Sequence, residues 1–136
     1  MVFEQRQKVL FRHCDPAGIV FFPRYFEMMN DVNEAFFEAL RAPWHDLHRG
    51  QAVPTAQLET RFTAPSRHGD VLLFQLRVVQ VGRTSLTLDT VAECDGERRL
   101  HCRATMVHVG ADGRPDPWPE ELARGLNDYK ETPDGT

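Results

Sequence analysis

The chain has 136 residues and a formal net charge of −4; 41% of its residues are hydrophobic and 26% are charged. These values are typical of one water-soluble globular domain and argue against a broad nucleic-acid-binding surface, while leaving room for a local basic patch that holds a phosphate. The sequence contains neither an apolar run of transmembrane length nor the apolar core of a signal peptide, and its three cysteines are scattered. We therefore expect a cytoplasmic protein without a metal site.

The first segment, residues 2–12, alternates loosely between apolar and polar residues and predicts a strand, which Pro16 and Gly18 end. Apolar residues then recur at steps of three and four from residue 22, which predicts a helix of about 18 residues that stops before Pro43. The predicted apolar face of this helix consists of Phe22, Phe26, Met29, Asn33, Phe36, Phe37 and Leu40.

The rest of the chain predicts strands at residues 55–64, 71–81, 84–94 and 97–109, with Asp95-Gly96 as the strongest hairpin signal. Short connections favour an antiparallel meander. A short amphipathic helix is predicted at residues 120–129, followed by a frayed tail at 131–136.

One long apolar helix and one sheet predict a two-layer α+β domain over residues 1–136, with the sheet curved around the helix. The predicted strands are apolar enough on both faces to favour self-association.

Asp15 lies in the turn just before the predicted long helix. An aspartate before a proline is a common turn former. A carboxylate beside the unpaired N–H groups of a helix N-terminus can also attack a bound carbonyl or activate water, while those N–H groups stabilise the oxyanion. The residues alone are compatible with both interpretations.

The neighbours of Asp15 are weaker candidates. His13 can orient a carboxylate or simply line the turn. Cys14 lies near the helix start, where a thiolate is favoured, but the adjacent carboxylate opposes thiolate formation.

Three features lie further along the chain. The segment Gly82-Arg83-Thr84-Ser85 combines a turn, a guanidinium and two hydroxyls, so it suits either an exposed hairpin or a phosphate site. Asn33, on the apolar face, needs partners and is expected to satisfy backbone groups or to touch a ligand. Arg98, Arg99 and Arg103 are predicted to be solvated strand positions.

The run Cys14-Asp15-Pro16-Ala17-Gly18-Ile19-Val20, followed by two phenylalanines, Pro23 and Tyr25, closely resembles the signature of the 4-hydroxybenzoyl-CoA thioesterase family. The similarity continues more weakly through Arg61-Phe62-Thr63-Ala64 and through the turns at 69–72 and 82–85. Members of that family are small hotdog-fold enzymes. The resemblance therefore implies the hotdog fold, a long central helix wrapped by a curved antiparallel five-stranded sheet.

The resemblance also implies roles for single residues. Asp15 is expected to be the catalytic carboxylate, either as nucleophile or as general base on water, and the backbone N–H of Phe22 is expected to polarise the thioester carbonyl. The positions with an implied substrate-binding role are Gly18, Phe21, Tyr25, Asn30, Arg83, Thr84 and Ser85. No metal or separate cofactor is implied, because coenzyme A enters as part of the substrate.

By the same resemblance, active sites are expected at the interface of a homodimer or of a homotetramer built as a dimer of dimers. The expected reaction is hydrolysis of an acyl-CoA to the free acid and CoA. Phe21-Phe22 replace a Trp-Tyr pair and Asn30 replaces an acidic residue of the family's 4-hydroxybenzoyl enzyme. The acyl group is therefore expected to be 4-hydroxybenzoyl, a benzoyl-like ring, or a short to medium chain. The alternatives are a hotdog protein acting on acyl carrier protein, a dehydratase, or an acyl-CoA-binding protein without hydrolysis.

Overall fold

The computed structural model describes residues 1–133. Its elements in chain order are β1 (Val2–Lys8), a 3₁₀ turn (Phe11–His13), α1 (Phe22–Ala39), α2 (Trp44–Leu47), β2 (Thr55–Phe62), β3 (Val71–Val81), β4 (Ser85–Cys94), β5 (Glu97–Val107) and α3 (Glu120–Glu131). The predicted order of the five strands, the long helix and the C-terminal helix is confirmed, whereas the short helix α2 was not predicted. None of the described helices is long and apolar enough to cross a bilayer.

The predicted ends of several elements were wrong. The first strand stops at Lys8 rather than at residue 12, because the 3₁₀ turn takes over before the Asp15 loop. β2 and β5 each end two residues early, at Phe62 and Val107. The C-terminal helix includes Glu131, which the sequence placed in a frayed tail. Residues 134–136 of that predicted tail lie outside the described part of the chain.

All five strands form one antiparallel sheet in the order β1-β3-β4-β5-β2. β3, β4 and β5 are the predicted meander, and the hairpin at Asp95-Gly96 is confirmed, with positive φ at both residues. The meander prediction was wrong for β2, which pairs with β5 at the far edge instead of lying beside β3. Since α1 connects β1 at one edge to β2 at the other, the helix must cross the face of the sheet.

Only one face of the sheet is apolar. Leu72, Phe74 and Leu76 of β3 are fully buried on the face that packs against α1. The opposite face carries the cross-strand neighbours Asp89 and Arg103, whose charged groups lie 3.1 Å apart. The prediction of two apolar faces was therefore wrong, and it supplies no argument for self-association.

The α1 helix has 18 residues and a length of roughly 27 Å. Its buried side chains are Tyr25, Met28, Met29, Val32, Phe36 and Phe37. The predicted apolar face was wrong at its first residue, because the Phe22 side chain is 55% exposed. Phe26 is partly buried and packs against the core, and the Phe22 and Phe26 rings both contact Phe62 of the edge strand β2.

Candidate active site

Residues 14–20 form a small hairpin that presents Asp15 ahead of α1. The Asp15 N–H donates to the Ile19 carbonyl at 2.9 Å, and the Gly18 N–H donates to the Asp15 carbonyl at 2.9 Å. An antiparallel bridge between Cys14 and Val20 closes the hairpin. Gly18 has a φ of +81°, a conformation that side chains with a Cβ adopt only with strain, so the turn requires this glycine. Its implied role in acyl binding stays a prediction.

One oxygen of the Asp15 carboxylate has a structural role and the other is available. Oδ1 accepts a hydrogen bond from the Ala17 N–H at 2.9 Å, which is the contact of an Asx turn. Within residues 1–133 no donor contacts the second oxygen. Asp15 is partly exposed. Both interpretations drawn from the sequence therefore apply to the same residue, since one oxygen builds the turn and the other can face a substrate or a water.

The start of α1 offers one unused backbone donor. The Phe21 N–H donates to the His13 carbonyl at 2.9 Å and the Arg24 N–H donates to the Phe21 carbonyl at 2.8 Å. Pro23 has no N–H. The Phe22 N–H, at the first residue of the helix, donates to no acceptor in the described chain. This donor carries the positive end of the helix dipole and suits a developing oxyanion.

The hairpin and the helix start form one wall of a groove of about 550 Å³. Its lining residues are Ile19, Val20, Phe22, Tyr25, Phe62, Thr63, Ala64 and Pro65. The lining is mainly apolar, and the Phe62 ring closes one side, with its centroid 6.1 Å from that of Phe22. The groove is open to solvent and offers an apolar surface beside the start of α1.

A second, smaller cavity of about 160 Å³ lies between α1 and the inner face of the sheet. Its lining residues are Phe26, Met29, Asn30, Asn33, Thr55, Leu58, Leu88, Thr90, Cys102 and Ala104. Phe26 contacts both Phe22 and Phe62 of the larger groove, so these three rings form an aromatic wall between the two cavities. Among these lining residues, Asn30 and Asn33 are the two that carry a side-chain amide.

The predicted structural role of Asn33 is not found in the described residues, because its amide makes no hydrogen bond to the loop before α1. Asn30 is exposed at the cavity mouth, and Asn33 is partly exposed. The ligand-binding interpretation of Asn33 stays a prediction.

Sequence reasoning missed a buried polar network beneath the groove, and it wrongly placed Arg99 among the solvated arginines. The Arg99 Nη1 donates to Asp70 Oδ2 at 2.8 Å and to Ser66 Oγ at 3.2 Å. Ser66 is fully buried and hydrogen-bonds the hydroxyl of Tyr25, which is also buried. The strand pattern could not reveal Arg99, because its burial depends on an irregularity in β5.

The surroundings of this network shift the pKa values of two of its groups, Tyr25 and Asp70. Burial raises the pKa of the Tyr25 phenol, and the hydrogen bond from Ser66 only partly opposes this shift. The Arg67 N–H and then the Arg99 guanidinium lower the pKa of the Asp70 carboxyl. At neutral pH the network therefore contains a neutral tyrosine beside a charged arginine–aspartate pair.

His13 lines the turn and does not orient Asp15. Its imidazole is buried, and its Nδ1 accepts a hydrogen bond from the Leu10 N–H at 2.9 Å. Burial lowers the pKa of His13, and the neighbouring Arg12 guanidinium lowers it further. The neutral imidazole thus serves the local fold. Cys14 points its thiol towards the Leu10 carbonyl, 3.8 Å away.

The predicted phosphate-binding turn lies at the other end of the sheet from Asp15. The Asp15 hairpin bridges to Arg67, just before β3 begins, whereas Arg83, Thr84 and Ser85 follow the end of this 11-residue strand. An extended strand of that length separates the two turns by roughly 30 Å. Within one chain the structure therefore does not bring them together, and the phosphate-binding role stays a prediction.

The comparisons with known proteins agree with this geometry. The family described as the thioesterase-like superfamily matches residues 9–126. The 4-hydroxybenzoyl-CoA thioesterase of Pseudomonas sp. (strain CBS-3) is 29% identical over 84 residues, which are 59% of this chain and 60% of that protein. The match therefore spans less than two thirds of the length of this curated relative.

Two solved structures have the same fold. A 1,4-dihydroxy-2-naphthoyl-CoA thioesterase from Synechocystis superimposes with a TM-score of 0.88 at 18% identity, over 97% of this chain and 100% of that one. A thioesterase complexed with coenzyme A and Zn, from Thermus thermophilus, superimposes with a TM-score of 0.84 at 25% identity, over 96% and 95% of the two chains. The predicted hotdog fold and the predicted family resemblance are confirmed.

Proposed function

This chain belongs to the thioesterase-like superfamily, and from that premise we propose that it hydrolyses an acyl-CoA thioester to the free acid and CoA. The observation that carries the proposal is that one short segment holds two polar groups whose hydrogen-bonding capacity is not used within the described chain. Asp15 has a carboxylate oxygen without a protein partner, and the Phe22 N–H has no acceptor within residues 1–133. Curated and structural relatives that are named as thioesterases support the same reaction.

The proposed reaction uses these two groups together. The thioester carbonyl oxygen accepts a hydrogen bond from the Phe22 N–H, which stabilises the negative charge that develops on that oxygen. Asp15 either takes a proton from a water that attacks the carbonyl carbon, or attacks the carbon itself to form an anhydride that water then hydrolyses. In both routes the C–S bond breaks, the thiol of CoA leaves with a proton, and the acid retains an oxygen from water.

We propose a single aromatic ring as the acyl group. A cavity of about 150 Å³ holds one benzene molecule, and the small cavity behind the aromatic wall has about 160 Å³. The carboxamides of Asn30 and Asn33 can hydrogen-bond a substituent on such a ring. The names of the Pseudomonas and Synechocystis relatives, with hydroxylated aromatic acyl groups, support this choice over a short or medium aliphatic chain.

We also propose that two copies of the chain complete the site. β2 lies at the edge of the sheet, and its side chains Leu58 and Phe62 are 46% and 43% exposed. An edge strand with exposed apolar residues is a template for pairing. Antiparallel pairing of two β2 strands about a twofold axis places Arg83 of the second copy at the same end of the joined sheet as Asp15. CoA phosphates can then reach that arginine.

The experiment is a thiol-release assay with purified protein and a panel of acyl-CoA substrates. The panel contains benzoyl-CoA, 4-hydroxybenzoyl-CoA, hexanoyl-CoA and acetyl-CoA. We expect the highest kcat/KM for the two aromatic substrates, and the ratio between them reports whether a ring hydroxyl is recognised. Release of no thiol from any of the four contradicts the proposed function. Thermal stabilisation by CoA without thiol release would identify a binding protein instead.

A further inference from the structure

Arg99 is buried although the neighbouring arginine on its strand is exposed. Ala92 of β4 pairs with Leu100 of β5, and the next residue of β4, Glu93, pairs with Arg98. Arg99 is therefore the extra residue of a β-bulge in β5. A bulge re-aims a side chain that regular alternation would direct elsewhere.

The bulge aims Arg99 at the connection between β2 and β3. Its side chain is 10% exposed, and Nη1 donates to Asp70 Oδ2 at 2.8 Å, to the Pro65 carbonyl at 3.0 Å and to Ser66 Oγ at 3.2 Å. Asp70 Oδ2 also accepts the Arg67 N–H at 3.0 Å. This ion pair thus joins both ends of the connection, with the Arg99 side chain buried and the Asp70 side chain 30% exposed. The Arg99 Nε also lies 2.8 Å from Oε1 of the exposed Glu97, so Asp70 is the more buried of its two counter-charges. Removal of Arg99 leaves Asp70 without its ion-pair partner, and removal of Asp70 leaves the buried guanidinium with only the exposed one.

The same connection holds the Asp15 hairpin in place. The Ser66 carbonyl accepts the Val20 N–H at 2.8 Å, and Ile19 forms an antiparallel bridge with Arg67. The Ile19 carbonyl in turn accepts the Asp15 N–H at 2.9 Å. Hydrogen bonds, together with the short backbone segments between them, therefore connect the guanidinium on β5 to the backbone of Asp15.

We propose that the Arg99–Asp70 ion pair is the positioning device of this site, which sets the Asp15 carboxylate relative to the Phe22 N–H without touching the substrate. The catalytic part of this inference rests on the proposed function, whereas the part that concerns the hairpin does not. A displacement of about 1 Å at a reacting group lowers a rate roughly 100-fold. Ile19, Val20 and Pro65 of the same segments also line the groove, so we expect the loss of the pair to act mainly on kcat and only weakly on KM.

The first test compares substitutions at the pair with a matched control. Arg99→Met retains the apolar stem and removes the charge, Asp70→Asn retains the shape of the carboxylate, and Arg98→Met changes the adjacent, exposed arginine. We expect kcat to fall about 100-fold in Arg99→Met and about 10-fold in Asp70→Asn, with KM within threefold of the wild type. Arg98→Met should stay within twofold. Arg99→Lys, which keeps the positive charge, should have a kcat at least about tenfold higher than that of Arg99→Met.

The second test is hydrogen exchange, measured by mass spectrometry without any substrate. We expect peptides that cover residues 14–22 to exchange at least about tenfold faster in Arg99→Met and Asp70→Asn, while peptides from β3 and β4 keep their wild-type rates. This result would stand even if the wild type released no thiol, so failure of the proposed function and failure of the inference are distinguishable.

Two results would overturn the inference. One is unchanged exchange in residues 14–22 of a folded variant, and the other is faster exchange spread equally over the whole chain, which indicates a purely structural role. If Arg99→Met does not fold, the isosteric Asp70→Asn decides between these outcomes.

Discussion

The two ends of β3 carry very different turns. At its start, the buried side chains of Ser66 and Arg99 join Asp70 in a polar network that reaches the Asp15 hairpin. At its end, the turn at residues 82–85 is held through its own backbone, since the Ser85 carbonyl accepts the Gly82 N–H at 2.9 Å and the indole N–H of Trp118 at 3.0 Å. The Arg83 side chain there is exposed and makes no ion pair with the described part of the chain.

This difference indicates which end of β3 must be held rigid for the proposed reaction. Breaking a thioester requires a carboxylate and an N–H group held in a defined geometry, and a buried network supplies it. Holding a phosphate requires mainly a positive charge, which a long exposed arginine brings without a fixed scaffold. The predictions below separate the two ends through kcat and KM.

The largest effect is expected for Asp15→Asn. The change keeps the acceptor for the Ala17 N–H and removes the negative charge, so kcat should fall at least about 100-fold in the thiol-release assay. Asp112→Asn is the matched control, because Asp112 Oδ1 accepts the N–H of Arg114, also two residues on, at 3.0 Å. If the kcat of Asp15→Asn is within threefold of that control, Asp15 is not the catalytic carboxylate and another residue must have that role.

A smaller effect on kcat is expected for Gly18→Ala. Gly18 and Gly113 have φ angles of +81° and +77°, and no atom lies within 4 Å of a Cβ built at either position. Alanine therefore introduces similar backbone strain at both, on the order of 1 kcal/mol. We expect kcat to fall about tenfold in Gly18→Ala only, because the strain there shifts the Asp15 hairpin.

Chemical unfolding of Gly18→Ala and Gly113→Ala should show similar losses of stability, so a difference in activity reports the position of the hairpin. Equal kcat values for the two variants would show that the hairpin tolerates the strain without displacement.

The opposite end of β3 is expected to act on KM. Arg83→Ala should raise KM for an acyl-CoA about tenfold and leave kcat within twofold, since a charge-assisted hydrogen bond to a phosphate is lost. The same substitution at Arg98 serves as control. If KM does not change, the CoA phosphates bind elsewhere.

Mixed dimers sharpen this test. When chains with Asp15→Asn and chains with Arg83→Ala are mixed by co-refolding, random pairing makes roughly a quarter of the sites intact, provided that each site takes Asp15 from one copy and Arg83 from the other. Low-KM activity should then reappear. If mixtures that are shown to exchange chains have no low-KM activity, then either each site takes Asp15 and Arg83 from the same chain, or Arg83 does not belong to the site.

The smallest effect is a pH dependence of stability at His13. Burial lowers the pKa of this histidine in the folded protein below its ordinary value of 6.5, so the unfolded chain binds the proton more readily. The stability of the wild type is complete above the ordinary pKa and falls as the pH drops through that value towards the folded pKa. His13→Asn, whose side-chain oxygen can accept the Leu10 N–H, should lose less stability between about pH 7.5 and about pH 5.5.

Urea unfolding at the two pH values measures this difference. Parallel losses in the wild type and in His13→Asn would show that other groups cause the acid sensitivity, with Asp70 contributing only at lower pH, where its depressed pKa is crossed.

Features that depend on neighbouring residues were predictable from the sequence. The long helix begins at Phe22 and has 18 residues, because helical spacing and Pro23 act locally. The hairpin at Asp95-Gly96 was predictable for the same reason, since these two residues favour positive φ. The motif around Asp15 indicated both the family and the place of the candidate site.

The sequence by itself therefore determined the elements, their order and the segment that carries Asp15 and the Phe22 amide. Only the tertiary structure decided that β2 lies at the far edge of the sheet, that Arg99 is buried, and that Arg83 lies at the opposite end of β3 from the Asp15 hairpin. The physical reason is that strand pairing and bulges depend on contacts between residues far apart in the sequence, which no local pattern encodes.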